Sequence, residues 1–394
     1  MSALFLLGII YLATVGLGLQ DSLLGSAWPA MYRPLDVPLH YAGIASMILA
    51  LGPVAASIIS ARLIKRFGTG IVVGASLVIT AAALTGISVS RSFLFLCLFA
   101  IPMGLGGGSI DVAVNNYVAL HYKSRYMSWL HCFWGVGASL GPIIMSWFLL
   151  RTGSWSMGYR SIGAIQFCIA ALLFILLPLW AVNRTDGKPE RQSPHDIKKL
   201  FSTAGVKEAL AAFFCYCAIE LTTGIWGASY LVSQRGIPPE TAAKWISFYY
   251  IGITVGRFIS GFISIKLSDR QMIRLGQIVT GCGIVVMVLP FGNALVLPGL
   301  FMIGLGCAPV FPSMIHATAR NFGKEHSPAI IAMQMGSSYT GTALMPPIFG
   351  LLTPHMSFGI FPFFIGAALI IKIAMVEILN RKVDNKIATT RLDK

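Results

Sequence analysis

Charge is what this sequence has least of. Only 11% of its 394 residues are charged, with 14 Asp and Glu among them, against about a quarter in ordinary soluble domains, and that shortage excludes a typical soluble enzyme. None of the seven Cys lies in a polar loop. Cys215 and Cys217, two apart on a helix, do not share a face, so neither a disulfide framework nor a zinc or other metal site is expected. No Ser/His/Asp, His-x-x-x-His or Cys/His constellation stands out, which argues against an intramembrane enzyme. Gly104-x-Gly106-x-x-Ser109 follows no strand pattern and reads as small residues that permit close helix approach, not as a dinucleotide fingerprint. Residues 1–31 lack a basic leading segment and run on as a long apolar stretch, so a retained first helix is expected in place of a cleaved signal.

What is present is hydrophobic length. With 56% hydrophobic residues, apolar runs of about 20 residues, enough to cross roughly 30 Å of hydrocarbon, recur near 4–31, 41–61, 69–89, 94–121, 127–150, 159–182, 208–233, 241–266, 272–291, 296–320, 327–352 and 357–380. The expected fold class is an all-α membrane protein of twelve transmembrane helices. Placing both termini on one side leaves 21 of the 29 Lys and Arg in that side's connections and 6 in the opposite ones. The positive-inside bias makes that side cytoplasmic, so a multi-pass protein of the cytoplasmic (inner) membrane with both termini cytoplasmic is expected. The net charge of +15 is thereby topological, and no nucleic-acid partner is needed.

The longest polar stretch, 183–207, divides the chain into an N-terminal six-helix bundle (1–182) and a C-terminal one (208–380), with a tail at 381–394. The halves look related. An offset of 200 superposes Gly104-Leu105-Gly106 on Gly304-Leu305-Gly306, Gly52 on Gly252, and Ile59-Ser60 on Ile259-Ser260. At a slightly larger offset the basic turn Arg62-Leu63-Ile64-Lys65-Arg66 meets Lys266-Leu267-Ser268-Asp269-Arg270. A parallel duplication of six spans is the plan of a rocking transporter with its site between the halves.

At these residues the chain resembles the major facilitator superfamily. Ala61-Arg62-Leu63-Ile64-Lys65-Arg66-Phe67-Gly68 is similar to that family's turn between its second and third helices, but has Lys65 in place of the Asp that serves its gating salt bridge. The second copy, Ser268-Asp269-Arg270, keeps an acid, so Arg66, Asp269 and Arg270 are candidate gating or structural residues. Gly135-Val136-Gly137-Ala138-Ser139-Leu140-Gly141-Pro142 is similar to the glycine-rich fifth-helix motif.

Four acids fall inside spans. Glu377, near the end of the last, is expected to pair with Lys372 or Arg381. Asp21, Asp111 and Glu220 lie deep in the first, fourth and seventh spans, where each costs roughly 2.5–3.5 kcal/mol on insertion scales. The resemblance implies that these spans, with the tenth, line a central cavity. A structural alternative is pairing with Arg257. A carboxylate withdrawn from water exchanges protons closer to neutral pH, so Asp21, Glu220, Asp111 and His131 are candidate proton-coupling groups.

Asp111 and Asn115 share a helix face. With Gln20, Asn116 and Gln334 they offer amides and carboxylates that can bond several hydroxyls, while Trp134, Trp226 and Tyr339 offer flat surfaces to a sugar ring. These residues are the candidate substrate site, with packing as the alternative for each aromatic. Pro346-Pro347 is expected to kink the eleventh span.

Gly16-Leu17-Gly18-Leu19-Gln20-Asp21-Ser22, Gly104 through Asn115, Leu130 through Gly137 and Ile251 through Arg257 resemble the fucose/proton symporter and sodium-dependent glucose carrier branch. That resemblance implies coupling and sugar-binding roles for Asp21 and Asp111, with an Asp here where the fucose carrier has Glu. The expected function is cation-coupled uptake of a neutral sugar or related small polar solute by alternating access. No cofactor is expected beyond a coupling proton, or sodium in its place. The expected partners are a small-molecule substrate and the lipid bilayer, and the protein is expected to be a monomer. A proton-driven exporter of amphipathic compounds and a non-transporting solute-binding membrane protein remain as alternatives.

Overall fold

In hydrocarbon a chain must satisfy its backbone donors and acceptors within itself, which helices do segment by segment. The computed structural model describes residues 2–181, 200–323 and 325–392, and among them every regular element is helical. The first span consists of α1 (Ser2–Asp21) and α2 (Leu23–Met31). It is followed by α3 (Ala42–Phe67), α4 (Thr69–Ser88), α5 (Phe93–His121), α6 (Ser124–Thr152), α7 (Trp155–Ile175) and the short α8 (Pro178–Ala181). The second set is α9 (Val206–Arg235), α10 (Pro239–Ile263), α11 (Asp269–Val288), α12 (Val296–Cys307) with α13 (Val310–Phe322), α14 (Ser327–Leu352) and α15 (Phe361–Leu392). Among the described residues, eleven spans are long and apolar enough to cross a membrane. The remaining expected span, the eleventh, is α14, whose middle is diluted by Gly336, Ser337, Ser338, Thr340 and Thr342.

The boundaries differ from the sequence expectation in particular places. The sixth span ends at Ile175, and α8 follows after a turn. Most of the expected linker, 182–199, lies outside the described residues, while Leu200 is buried against Val206, Phe322 and Leu379. The expected tail is no separate segment, because α15 continues through it to Leu392. Pro346 and Pro347 lie inside α14, which runs on past them to Leu352. The breaks fall elsewhere, at Ser22 between α1 and α2 and at Ala308-Pro309 between α12 and α13. The Ser22 hydroxyl donates back to the Gly18 and Leu19 carbonyls at 3.3 Å, the kind of bond that bends helices.

Two glycine pairs set 200 residues apart make the same contact in each half. A Cβ at Gly52 would lie 2.1 Å from the Gly104 carbonyl carbon, and one at Gly304 would lie 2.0 Å from the Tyr249 oxygen and 3.0 Å from the Ile253 nitrogen, flanking Gly252. So α3 meets α5, and α10 meets α12, backbone to backbone, as small residues allow in membranes.

Between the halves, α2 packs on α9, α3 on α14 and α6 on α10. A Cβ at Gly25 would meet the Gly224 carbonyl at 2.0 Å, and one at Gly43 would meet the Pro347 Cα at 2.7 Å. These approaches lie near the 32–41 connection, on the side away from the termini. Asp21 is nonetheless exposed and lies on the termini side of these approaches.

Candidate substrate and coupling site

The break after Asp21 places its carboxylate at the end of α1, beside the glycine-rich face of α6. There the indole N–H of Trp134 donates to Asp21 Oδ2 at 2.9 Å. Gly137 makes room for this: a Cβ there would meet the Val15 oxygen at 2.1 Å. Over the same indole, 4.9 Å from its centroid, sits the Arg257 guanidinium from α10. Arg257 Nη1 also donates to the His131 carbonyl at 3.1 Å, and Nη2 lies 3.6 Å from Glu220 Oε1 on α9. One chain of contacts, Asp21–Trp134–Arg257–Glu220, therefore crosses from the first half to the second.

The Arg257 and Glu220 side chains are only 18% and 14% exposed, so little water screens them. Breaking such a buried pair by deleting one partner costs about 3–5 kcal/mol, and a desolvated cation–π contact adds roughly 2 kcal/mol. Tyr249 donates its hydroxyl to the Glu220 carbonyl at 2.9 Å, fixing the helix at that point. Tyr250 lies within electrostatic reach of both Asp21 and Glu220.

Asp111 and Asn115 stand together on α5. Asn115 Nδ2 donates to Asp111 Oδ1 at 2.8 Å and to the Asp111 carbonyl at 2.9 Å. Asp111 is within electrostatic reach of Asp21 and Arg257, and half-buried Tyr339 on α14 is within reach of Asp111. The structure thus gathers Asp21, Asp111, Asn115, Trp134, Arg257, Glu220 and Tyr339 around one central space, with His131 beside it.

The remaining candidates have other partners as well or instead. Gln20 is 2% exposed and stands beside the site: its side chain hydrogen-bonds the Asp21 carboxylate and accepts from Gln166, which also binds Gly16 and Thr80 and so ties α1, α4 and α7 together. Gln334 accepts from Thr318 at 2.9 Å inside the second half. Trp226 is fully buried against Phe349 and Phe358 and donates to the Pro346 carbonyl at 2.8 Å. Asn116 is exposed on the stripe of Leu120, offset from the Asp111–Asn115 face. Each of the four has a packing or surface place that its residue type alone does not reveal.

The paired turns differ as their sequences do. Asp269 lies 3.0 Å from His316 Nδ1 and 3.8 Å from Arg320 on α13, while Arg270 forms a two-pronged pair with Asp384. The guanidinium of Arg66 lies 5.3 Å over the neighbouring Phe67 ring. Glu377 pairs with Arg274 of α11 through bonds of 2.8 and 2.7 Å, not with Lys372 or Arg381 as expected. The expectation followed spacing along one helix, whereas the nearest cation comes from a packed neighbour.

Sequence reasoning placed Lys372 only as a partner of Glu377 and missed its burial. The residue is fully buried, with its ammonium 5.6 Å over the Tyr216 ring. The signal was its register: Ile365, Leu369, Lys372 and Val376 form one buried stripe of α15.

The Major Facilitator Superfamily profile matches residues 10–243 and 209–390, covering both sets of helices. The chain is 23% identical over 327 residues to the glucose/mannose transporter GlcP of Bacillus subtilis, covering 78% of this chain and 76% of that one. It is 24% identical over 323 residues to the cis,cis-muconate transport protein of Acinetobacter baylyi, covering 77% and 76%. It is 26% identical over 386 residues to the uncharacterized transporter y4wD of Sinorhizobium fredii, covering 92% and 96%. With a family match through both halves and a helical architecture to fit it, the chain belongs to the Major Facilitator Superfamily and is a multi-pass membrane transporter, not an enzyme.

Proposed function

We propose that this transporter imports a neutral sugar or related small polar solute with protons, by alternating access, across the cytoplasmic membrane with both termini inside. The observation that carries the reading is the chain Asp21–Trp134–Arg257–Glu220, which joins the halves beside Asp111 and Asn115. Substrate hydroxyls arriving at Asp111 and Asn115 come within electrostatic reach of the Arg257 guanidinium, so binding and rearrangement of the halves draw on the same contacts. A carboxylate at Asp21 that must move between exposed and enclosed settings favours carrying a proton with it. The relative named for glucose and mannose supports a sugar, and the bias of Lys and Arg toward the side of the termini supports the orientation. Sodium is the alternative coupling ion.

A second reading, an organic-acid substrate held by Arg257, is favoured by that guanidinium in the cleft and by the relative named for muconate. The separating experiment uses purified protein in liposomes with an imposed pH gradient, without sodium, and radiolabelled glucose, mannose or muconate. Uphill accumulation of a hexose supports the first reading. Accumulation of muconate alone replaces it with the second, and accumulation of a hexose that requires added sodium and ignores the pH gradient replaces proton coupling with sodium coupling.

A further inference from the structure

Lys372 sits where an apolar side chain belongs. Its neighbours along α15, Ile365, Leu369 and Val376, are buried and pack in the second half, and Lys372 itself has no exposed surface. Its Nζ has no hydrogen-bond partner among the described residues; the Tyr216 ring lies 5.6 Å beneath it. A buried ammonium without an acceptor costs several kcal/mol, so a methionine of similar length would serve packing better.

The acid within electrostatic reach is Glu220, one helical turn from Tyr216 on α9. Cys215, Cys217 and Cys307 are also within electrostatic reach. Glu220 is held here by Arg257, whose other contacts, the Trp134 ring and the His131 carbonyl, belong to the opposite half. Lys372 and Glu220 both belong to the second half. Arg257, on α10, belongs to the second half as well, so motion of one half against the other breaks or makes only its contacts to Trp134 and His131, while Lys372 stays within reach of Glu220 throughout.

The geometry points to an exchange of cations: Glu220 is paired with Arg257 when the cleft opens toward the termini, and with Lys372 when the halves close on that side. In the first state Arg257 bridges the halves and Lys372 waits over the aromatic ring of Tyr216. In the second, Arg257 is released toward the cleft, and Lys372 keeps Glu220 from standing as an unpaired buried charge. Lys372 is thus a positioning residue for the conformational cycle, acting through Glu220.

Because this rests on alternating access, the experiment reads the halves directly and without substrate. Spin labels at Lys123→Cys and Glu325→Cys, in protein whose exposed Cys168 and Cys282 are replaced, report the separation at the end near the termini by pulsed electron resonance. Lys372→Met should shift the population toward the long separation by at least about tenfold, Arg257→Met should shift it the other way, and Lys372→Arg should keep the parent distribution. In a Glu220→Gln background, adding Lys372→Met should change nothing further. An unchanged distribution in folded Lys372→Met, or the same shift with and without Glu220, overturns the exchange. If Lys372→Met does not fold, Lys372→Gln is read in its place under the same criteria. Failure of the parent protein to accumulate sugar would count against the proposed substrate and leave these distance results standing.

Discussion

Trp134 donates its indole N–H to Asp21 across 2.9 Å while offering the face of the same ring to Arg257. One side chain therefore serves an acid of its own half at its edge and a cation of the other half at its face. Trp134→Phe keeps an aromatic face and loses the donor; Trp134→Leu loses both. Substrate counterflow should survive in the first and fall about tenfold or more in the second, on the scale of a lost desolvated cation–π contact. Equal rates in the two variants, measured in liposomes without a gradient, would show that Arg257 does not need the ring.

Asp21→Asn should bind substrate and exchange it but no longer accumulate it under a pH gradient. The amide keeps the acceptor for Trp134 and removes the proton site. Paired exchange and gradient-driven uptake measurements decide this, and retained uphill uptake would falsify the assignment of the proton to Asp21.

Asp111→Ala and Asn115→Ala should each weaken equilibrium binding about five- to 150-fold, the effect of leaving a partner unsatisfied in a desolvated site at roughly 1–3 kcal/mol. Asn116→Ala, on the stripe of Leu120, should leave affinity unchanged. Titration calorimetry of the three variants checks both statements, and a loss confined to Asn116→Ala would reverse the face assigned to the substrate.

Gly25→Val should hinder the contact that seals the side away from the termini, because even a Cβ there would fall 2.0 Å from the Gly224 carbonyl. The variant should favour opening on that side, read as faster labelling of a cysteine at Ser229 by a membrane-impermeant reagent. Slower labelling than in the parent would contradict the role given to this contact.

Trp226→Phe should lower thermal stability without changing substrate affinity. It strips the donor from the Pro346 carbonyl inside a packed aromatic group, a loss of about 1–3 kcal/mol. A melting curve and a binding isotherm on the same preparation suffice. A marked affinity loss at full stability would place Trp226 back in the site.

The spans were legible because hydrocarbon thickness fixes helix length, and the twelvefold pattern follows from apolar runs separated by charge. The breaks were not. Ser22 and Ala308-Pro309 look no more disruptive in sequence than Pro346-Pro347, and only the packed structure divides the helices at the first two places and carries α14 through the last.

From the sequence alone came the family, the fold and the acids that stand at membrane depth, because unpaired carboxylates in hydrocarbon are costly enough to be conspicuous. Tertiary structure decided which of the polar residues converge. Asp21, Asp111, Trp134, Arg257 and Glu220 lie near one another with Gln20 behind Asp21, while Gln334 and Trp226 bond within the second half and Lys372 points inward. The physical reason is that a soluble helix shows its buried face by contrast with a polar one. A helix between lipid and protein is apolar on both sides, so its rotation, and with it the direction of every polar side chain, is set by its packed neighbours.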